Sequence, residues 1–175
     1  ISPLMSPILG IGLSLGIHDK ENFFISGREF LYSVILSLAV STIYFLLTPL
    51  GEPTTEIMAR IKPTALDILI AFFGGVAGIV AMSRINVSTA LPGVAIATAL
   101  MPPICTAGYG IAKMNSEYFF GAIYLFFINA VFISFSSYLI VRYLNFPFKE
   151  NPDRKQLIKT RLIISTFVVL IAIPS

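Results

Sequence analysis

The chain is short of charge, of cysteine and of histidine, and each shortage closes off a class of function. Lys, Arg, Asp and Glu make up 12% of its 175 residues, where a soluble domain carries roughly 25% to keep its surface solvated. Halving the charge while lengthening the apolar runs leaves lipid as the expected solvent. The net charge is only +3, and the basic residues gather mainly in one loop rather than in a stripe. Nucleic acid is therefore not an expected partner. Cys105 is the sole cysteine, which excludes an intrachain disulfide and leaves the redox compartment unread. It reads as a small apolar core residue. His18 is the sole histidine, and no carboxylates cluster, so the common zinc and two-metal sites are excluded. With no nucleophile–base pair and no metal set, neither an enzyme nor a cofactor is expected.

An initiator methionine is missing too, and the last apolar run reaches Ile173-Pro174-Ser175. The chain reads as part of something longer, so the lack of a signal peptide carries no weight.

What is present is apolar and repeated. Hydrophobic residues make up 56%, with 15 Phe, 12 Gly and 11 Pro, and the mean hydropathy is +0.87. Ser2-Pro3-Leu4-Met5-Ser6-Pro7-Ile8 returns 96 positions later as Thr98-Ala99-Leu100-Met101-Pro102-Pro103-Ile104. The same offset pairs Gly12 with Gly108, Phe30 with Phe126, Ser41 with Ser137 and Thr64 with Thr160. Two copies of a proline-interrupted apolar unit are a sequence sign of a duplicated membrane transport fold.

A helix that crosses a bilayer needs about 20 apolar residues. Six segments qualify: 1–17, 29–50, 64–83, 88–112, 118–141 and 157–174. The expected fold is an all-α membrane protein of six transmembrane segments, a single membrane domain built from repeats 1–83 and 84–175. Each repeat has three crossings, an odd number, so the second enters from the opposite side and the topology is inverted. Loops 18–28, 84–87 and 142–161 then share one face with Lys20, Arg28, Arg84, Arg142, Lys149, Arg154, Lys155, Lys159 and Arg161. The other face holds Arg60, Lys62 and Lys113. The positive-inside rule puts the first group in the cytoplasm, and the expected membrane is the inner membrane of a prokaryotic cell. In between, Thr54–Ile61 of the loop 51–63 can form a short interfacial amphipathic helix, with Glu56 and Arg60 at a favourable i,i+4 spacing.

Candidate functional residues follow from the repeat. Proline lacks a backbone donor and clashes with the carbonyl four residues earlier, so the first helix of each repeat should be broken. In a bilayer the freed backbone groups must be buried in protein or line a cavity. Ser2, Pro3, Met5, Ser6 and Pro7 of one copy, with Thr98, Met101, Pro102, Pro103 and Thr106 of the other, are the expected substrate site. The alternative is that these prolines only kink helices for packing. Asn129, 96 positions after Ser33, joins the site because an amide is costly to leave unpaired in hydrocarbon. Ser33, Ser37 and Ser41 share a helical face and read as packing residues. Asp67 is an ion-coupling candidate, but Thr64-Ala65-Leu66-Asp67 also spells a capping box, the preferred reading. Gly74, Gly75 and Gly78 point to close helix packing. Gly12-Leu13-Ser14-Leu15-Gly16 copies a hydrolase elbow in the wrong context and is set aside. Phe119, Phe120, Phe126, Phe127, Phe132 and Phe135 are expected to face lipid or a neighbouring protomer.

The runs Ile1–Gly10, Glu56-x-x-x-Arg60-x-x-Pro63-Thr64 and Leu91–Pro103 also resemble the signature of an uncharacterised hydrophobic family, domain of unknown function 389. The resemblance covers nearly the whole chain. It implies a multi-pass membrane protein, often with a soluble domain ahead of the membrane part, and it brings no established activity. The expected function is transport of a small solute or ion by a homo-oligomer in the lipid bilayer. The competing expectation is a non-transporting anchor or assembly scaffold for a soluble domain.

Overall fold

The computed structural model describes residues 4–48, 52–83, 90–146, 162 and 166. Among them the regular elements are helices: α1 (Met5–Ile17), α2 (Lys20–Leu47), α3 (Thr55–Ala59), α4 (Ala65–Met82), α5 (Ala90–Ala112) and α6 (Ser116–Tyr143). The expected segment 157–174 apart from Leu162 and Thr166, the loop 84–87 and most of 142–161 lie outside the described residues. Helices α2, α4, α6 and the Leu91–Ala112 stretch of α5 are long and apolar enough to cross a bilayer. This is a helical, membrane-embedded protein.

Capping chemistry sets the helix boundaries. Helix α1 ends at His18, which is left-handed at φ 58°, and the Asp19 N–H returns to the Ser14 carbonyl at 2.9 Å. Helix α5 ends in the same way. Met114 has φ 51°, and the Asn115 N–H returns to the Gly110 carbonyl at 2.9 Å. Both turns satisfy carbonyls that a helix end would otherwise orphan. The next residue then caps the following helix. The Asp19 carboxylate accepts from the Asn22 N–H at 3.1 Å and from Asn22 Nδ2 at 2.6 Å. The Asn115 side chain accepts from the N–H groups of Glu117 and Tyr118. Helices α2 and α6 are each 28 residues long, and they start and stop 96 positions apart. So do the turns that precede them.

The expected loop 18–28 is therefore corrected. Only His18 and Asp19 lie outside helix, because the Asp19 cap starts α2 nine residues before Glu29. At ~1.5 Å rise per residue, 28 residues outreach a hydrocarbon core of about 30 Å. The charged start of α2 can therefore extend beyond the apolar layer.

The broken helices are corrected as well. Helix α5 runs on through Pro102 and Pro103, and Pro7 lies in the first turn of α1. A first-turn N–H has no intrahelical partner, so proline costs little there. In α5 the loss is real: Thr98 and Ala99 give up the donors that residues 102 and 103 would supply. Proline's own φ is helical, however, and the Ala99 carbonyl has found another donor in Asn129 Nδ2 at 2.8 Å.

Helix α6 sits against α1, α4 and α5, while α2 packs on α1 and α5. Two glycines set how closely these helices approach. A Cβ on Gly12 of α1 would meet Ser134 O and Ser137 Cβ of α6. A Cβ on Gly108 of α5 would meet Ser41 and the backbone N of Thr42 on α2. The two contacts involve the same pair of positions, 96 apart, with the helices exchanged. Gly75 of α4 lies equally close to Ile133 and Ser136 of α6, which bears out the close packing expected there. Leu4, Met5, Ile8 and Leu9 from the first motif share one apolar core with Ile96, Leu100, Ile104, Phe126, Ile128 and Ile133. Phe30 of α2 stacks on Phe126 of α6, ring centroids 5.9 Å apart. Phe126 and Phe132 are thus inside, against expectation, while Phe120 and Phe127 do face outward.

The bundle has two ends. At one, Ile61 lies against Gly121 near the start of α6, so the connection with Arg60 and Lys62 is at the same end as Lys113. At the other, Gly16 lies against Val141, which brings the His18–Asp19 turn beside the last turn of α6 with Arg142.

Candidate functional site: the Pro102–Pro103 turn and Asn129

Pro103 fixes the position of the site. Its missing N–H leaves the Ala99 carbonyl inside an apolar core, where an unmade hydrogen bond costs about 1–3 kcal/mol. Asn129 projects from α6 at the depth needed to supply the donor. Its side chain is 2% exposed. The Oδ1 of the same amide is buried and accepts no hydrogen bond. Its partner Ala99 belongs to the shared apolar core with Leu100, Ile104, Phe126, Ile128 and Ile133. The result is one fixed amide in apolar surroundings, with a donor in use and an acceptor to spare.

The other expected site residues divide. Met5, Pro7, Pro103 and Thr106 are buried, Pro102 is half-buried, and Ser6, Thr98 and Met101 face outward. Thr98 turns its hydroxyl back to the Ala95 carbonyl at 2.8 Å. Ser2 and Pro3 lie outside the described residues. The two motifs thus meet in one core, but through Leu4, Met5, Ile8, Leu100 and Ile104 rather than through hydroxyls. Met101 instead lines an open cleft of about 450 Å³ between α2 and α5, with Ser37, Ser41, Ile104 and Cys105. Ser41 Oγ donates to the Cys105 carbonyl at 3.0 Å in its wall.

Asp67 sits in the first turn of α4 and is engaged on both oxygens. Its Oδ2 accepts from the Thr64 N–H at 3.0 Å and from Thr64 Oγ1 at 2.6 Å, while Thr64 Oγ1 accepts from the Asp67 N–H at 3.4 Å. Its Oδ1 pairs with Arg60 at 3.5 Å. The capping box is present as the sequence suggested. Arg60, expected beside Glu56, bridges to Asp67 instead because it caps the C-terminus of α3. Ser14, of the elbow-like motif, bonds the Gly10 carbonyl at 2.6 Å within its own helix.

Sequence reasoning missed two contacts: Ser41 on Cys105, and Ser134 Oγ on the Ile8 carbonyl at 3.2 Å. The partner of Asn129 could have been found. Counting four residues back from Pro103 names Ala99 as the carbonyl in need of a donor.

Comparison with known proteins gives a family and a relative. Residues 1–135 match the family described as Domain of unknown function (DUF389). A protein of Methanocaldococcus jannaschii, named only as uncharacterized, is 31% identical over 141 residues, which cover 80% of this chain and 43% of that protein. The chain thus spans less than half of that relative's length. No solved structure matches.

Proposed function

The chain belongs to the domain of unknown function 389 family, and from that premise we propose that it moves a small solute or ion across the membrane. The observation that carries this reading is the Asn129 amide buried beside the Pro103-freed carbonyl of Ala99. Polar groups at such depth are costly, and in membrane proteins they mark pathways. The pathway would run where residues 3–8 and 98–104 meet.

The reading includes two three-helix repeats, 1–83 and 84–175, of inverted topology. The exchange of Gly12 on Ser137 for Gly108 on Ser41 supports it, as do the matched turns at His18 and Met114. Lys20 and Arg142 would lie on the cytoplasmic side of a prokaryotic cell membrane, with Arg60, Lys62 and Lys113 opposite. A homo-oligomer is part of the same proposal. Asp67, capped and paired, serves the start of α4 in this reading rather than ion coupling.

Flux through proteoliposomes of the full-length protein tests it. Replacing Pro7 and Pro103 by Ala should lower flux at least tenfold while the protein still elutes as one species. Unchanged flux would remove the site. A second reading, a non-transporting anchor or scaffold, draws on the apolar contact between the two motifs. It predicts no solute flux above that of empty vesicles.

A further inference from the structure

Asn129 holds one atom that the packing does not use. Its Nδ2 is committed to the Ala99 carbonyl. Flipping the amide would set two oxygens against each other, so its orientation is fixed by its partner. The remaining Oδ1 is buried with no donor, and a buried polar atom left unsatisfied in a folded protein calls for a bound water or ligand. The Ala99 carbonyl beside it has a second lone pair, because Pro103 offers it nothing. Among the described residues Asp19 is the one buried charged side chain, and it caps the start of α2. Helices α1 and α5 contain no charged residue, α6 has only Glu117 and Arg142, one near each end, and the charges of α2, Lys20, Glu21, Arg28 and Glu29, stand exposed near its start. Asp67 of α4 is tied to Thr64 and Arg60.

Two free acceptors beside the one remaining N–H of Asn129 Nδ2, without countercharge, fit one kind of molecule. We infer that Asn129 Oδ1 and the Ala99 carbonyl form an acceptor site for a small uncharged solute bearing N–H or O–H groups. The inference rests on the transport reading above and names its substrate class. An anion would meet two lone-pair oxygens and a single remaining N–H, too few donors to replace its hydration shell. A cation would exchange its hydration shell for two oxygens in an apolar core, an unfavourable trade. The first repeat has Ser33 where the second has Asn129, and a hydroxyl both donates and accepts. The site therefore belongs to one half of the molecule.

Stopped-flow light scattering on proteoliposomes of the full-length protein, with urea and glycerol gradients, provides the test. Potassium and nitrate fluxes are measured in parallel on the same vesicles. Urea or glycerol permeability should exceed that of empty vesicles at least tenfold, and Asn129→Leu should return it to background. Where Asn129→Leu fails to fold, Asn129→Ser, which installs the residue of the other repeat, should give the same loss. Flux of potassium or nitrate without urea or glycerol would overturn the substrate class and leave the transport reading standing. Neutral flux unchanged by a folded Asn129 variant would overturn the site. No flux of any of the four would overturn the transport reading along with it.

Discussion

Replacing Asn129 by Leu should cost stability only while proline stands at 103, and a double-mutant cycle can isolate that dependence. In the native chain the leucine removes the donor that Asn129 Nδ2 gives to the Ala99 carbonyl at 2.8 Å. It also removes the buried Oδ1 that has no donor, so the single substitution mixes a loss with a relief. Pro103→Ala separates the two, because an alanine at 103 supplies the i→i−4 N–H that Ala99 lacks. In that background Asn129→Leu orphans nothing on α5. The coupling between the substitutions therefore reports the rescue of one carbonyl. A buried unsatisfied acceptor costs about 1–3 kcal/mol, and hydrogen bonds within membranes fall toward the low end of that scale. About 1–2 kcal/mol of coupling is expected, the double variant being more stable than the two singles predict. Equilibrium unfolding of all four proteins in mixed micelles measures it. Additivity within about 0.5 kcal/mol, the spread of independent sites, would refute the claim that Asn129 stands in for the N–H missing at Pro103.

Two more substitutions test the packing and the cap. Gly12→Ala and Gly108→Ala should each destabilise by about 1–3 kcal/mol through overpacking, since the new methyl meets backbone as well as Ser137 or Ser41. Gly27→Ala, with nothing within 4 Å, should instead stabilise α2 by about 0.5–1 kcal/mol. Thermal unfolding in detergent ranks the three, and a Gly108 variant as stable as the Gly27 variant would contradict the close approach. Asp67→Ala should lose about 1 kcal/mol as the capping box opens, while Asp67→Asn, which keeps an acceptor, should lose less and leave flux unchanged. Flux abolished in a folded Asp67→Asn protein would return that residue to ion coupling.

Much of this was legible in the residues, because local chemistry leaves local marks. The 96-residue offset, the cap at Thr64-x-x-Asp67 and the short helix near residues 54–60 depend on neighbours in sequence. The start of α2 was misread because Lys20, Glu21, Arg28 and Glu29 look like loop residues. On a helix longer than the bilayer is thick, they are simply its protruding end. Continuity through Pro102–Pro103 was illegible for another reason: the donor that compensates Ala99 comes from a different helix. The inner and outer faces of α6 were hidden as well. A helix apolar on all sides carries no stripe to read, so only packing shows that Phe126 and Phe132 turn inward while Phe120 and Phe127 do not.

The stacking of Phe30 on Phe126 has a consequence of its own. These are corresponding positions, 96 residues apart, and in the proposed inverted arrangement a position that touches its own counterpart lies on the rotation axis relating the two copies. In two separate identical chains, that contact would be one phenylalanine meeting itself, and a single codon would set both rings. Joined in one chain, the two rings can change independently, so the seam can become lopsided without coming apart. Asn129 and Ser33, three residues further along the same two helices, have already diverged. In that arrangement the two halves need not stay alike, and one can serve the packing while the other serves the proposed solute.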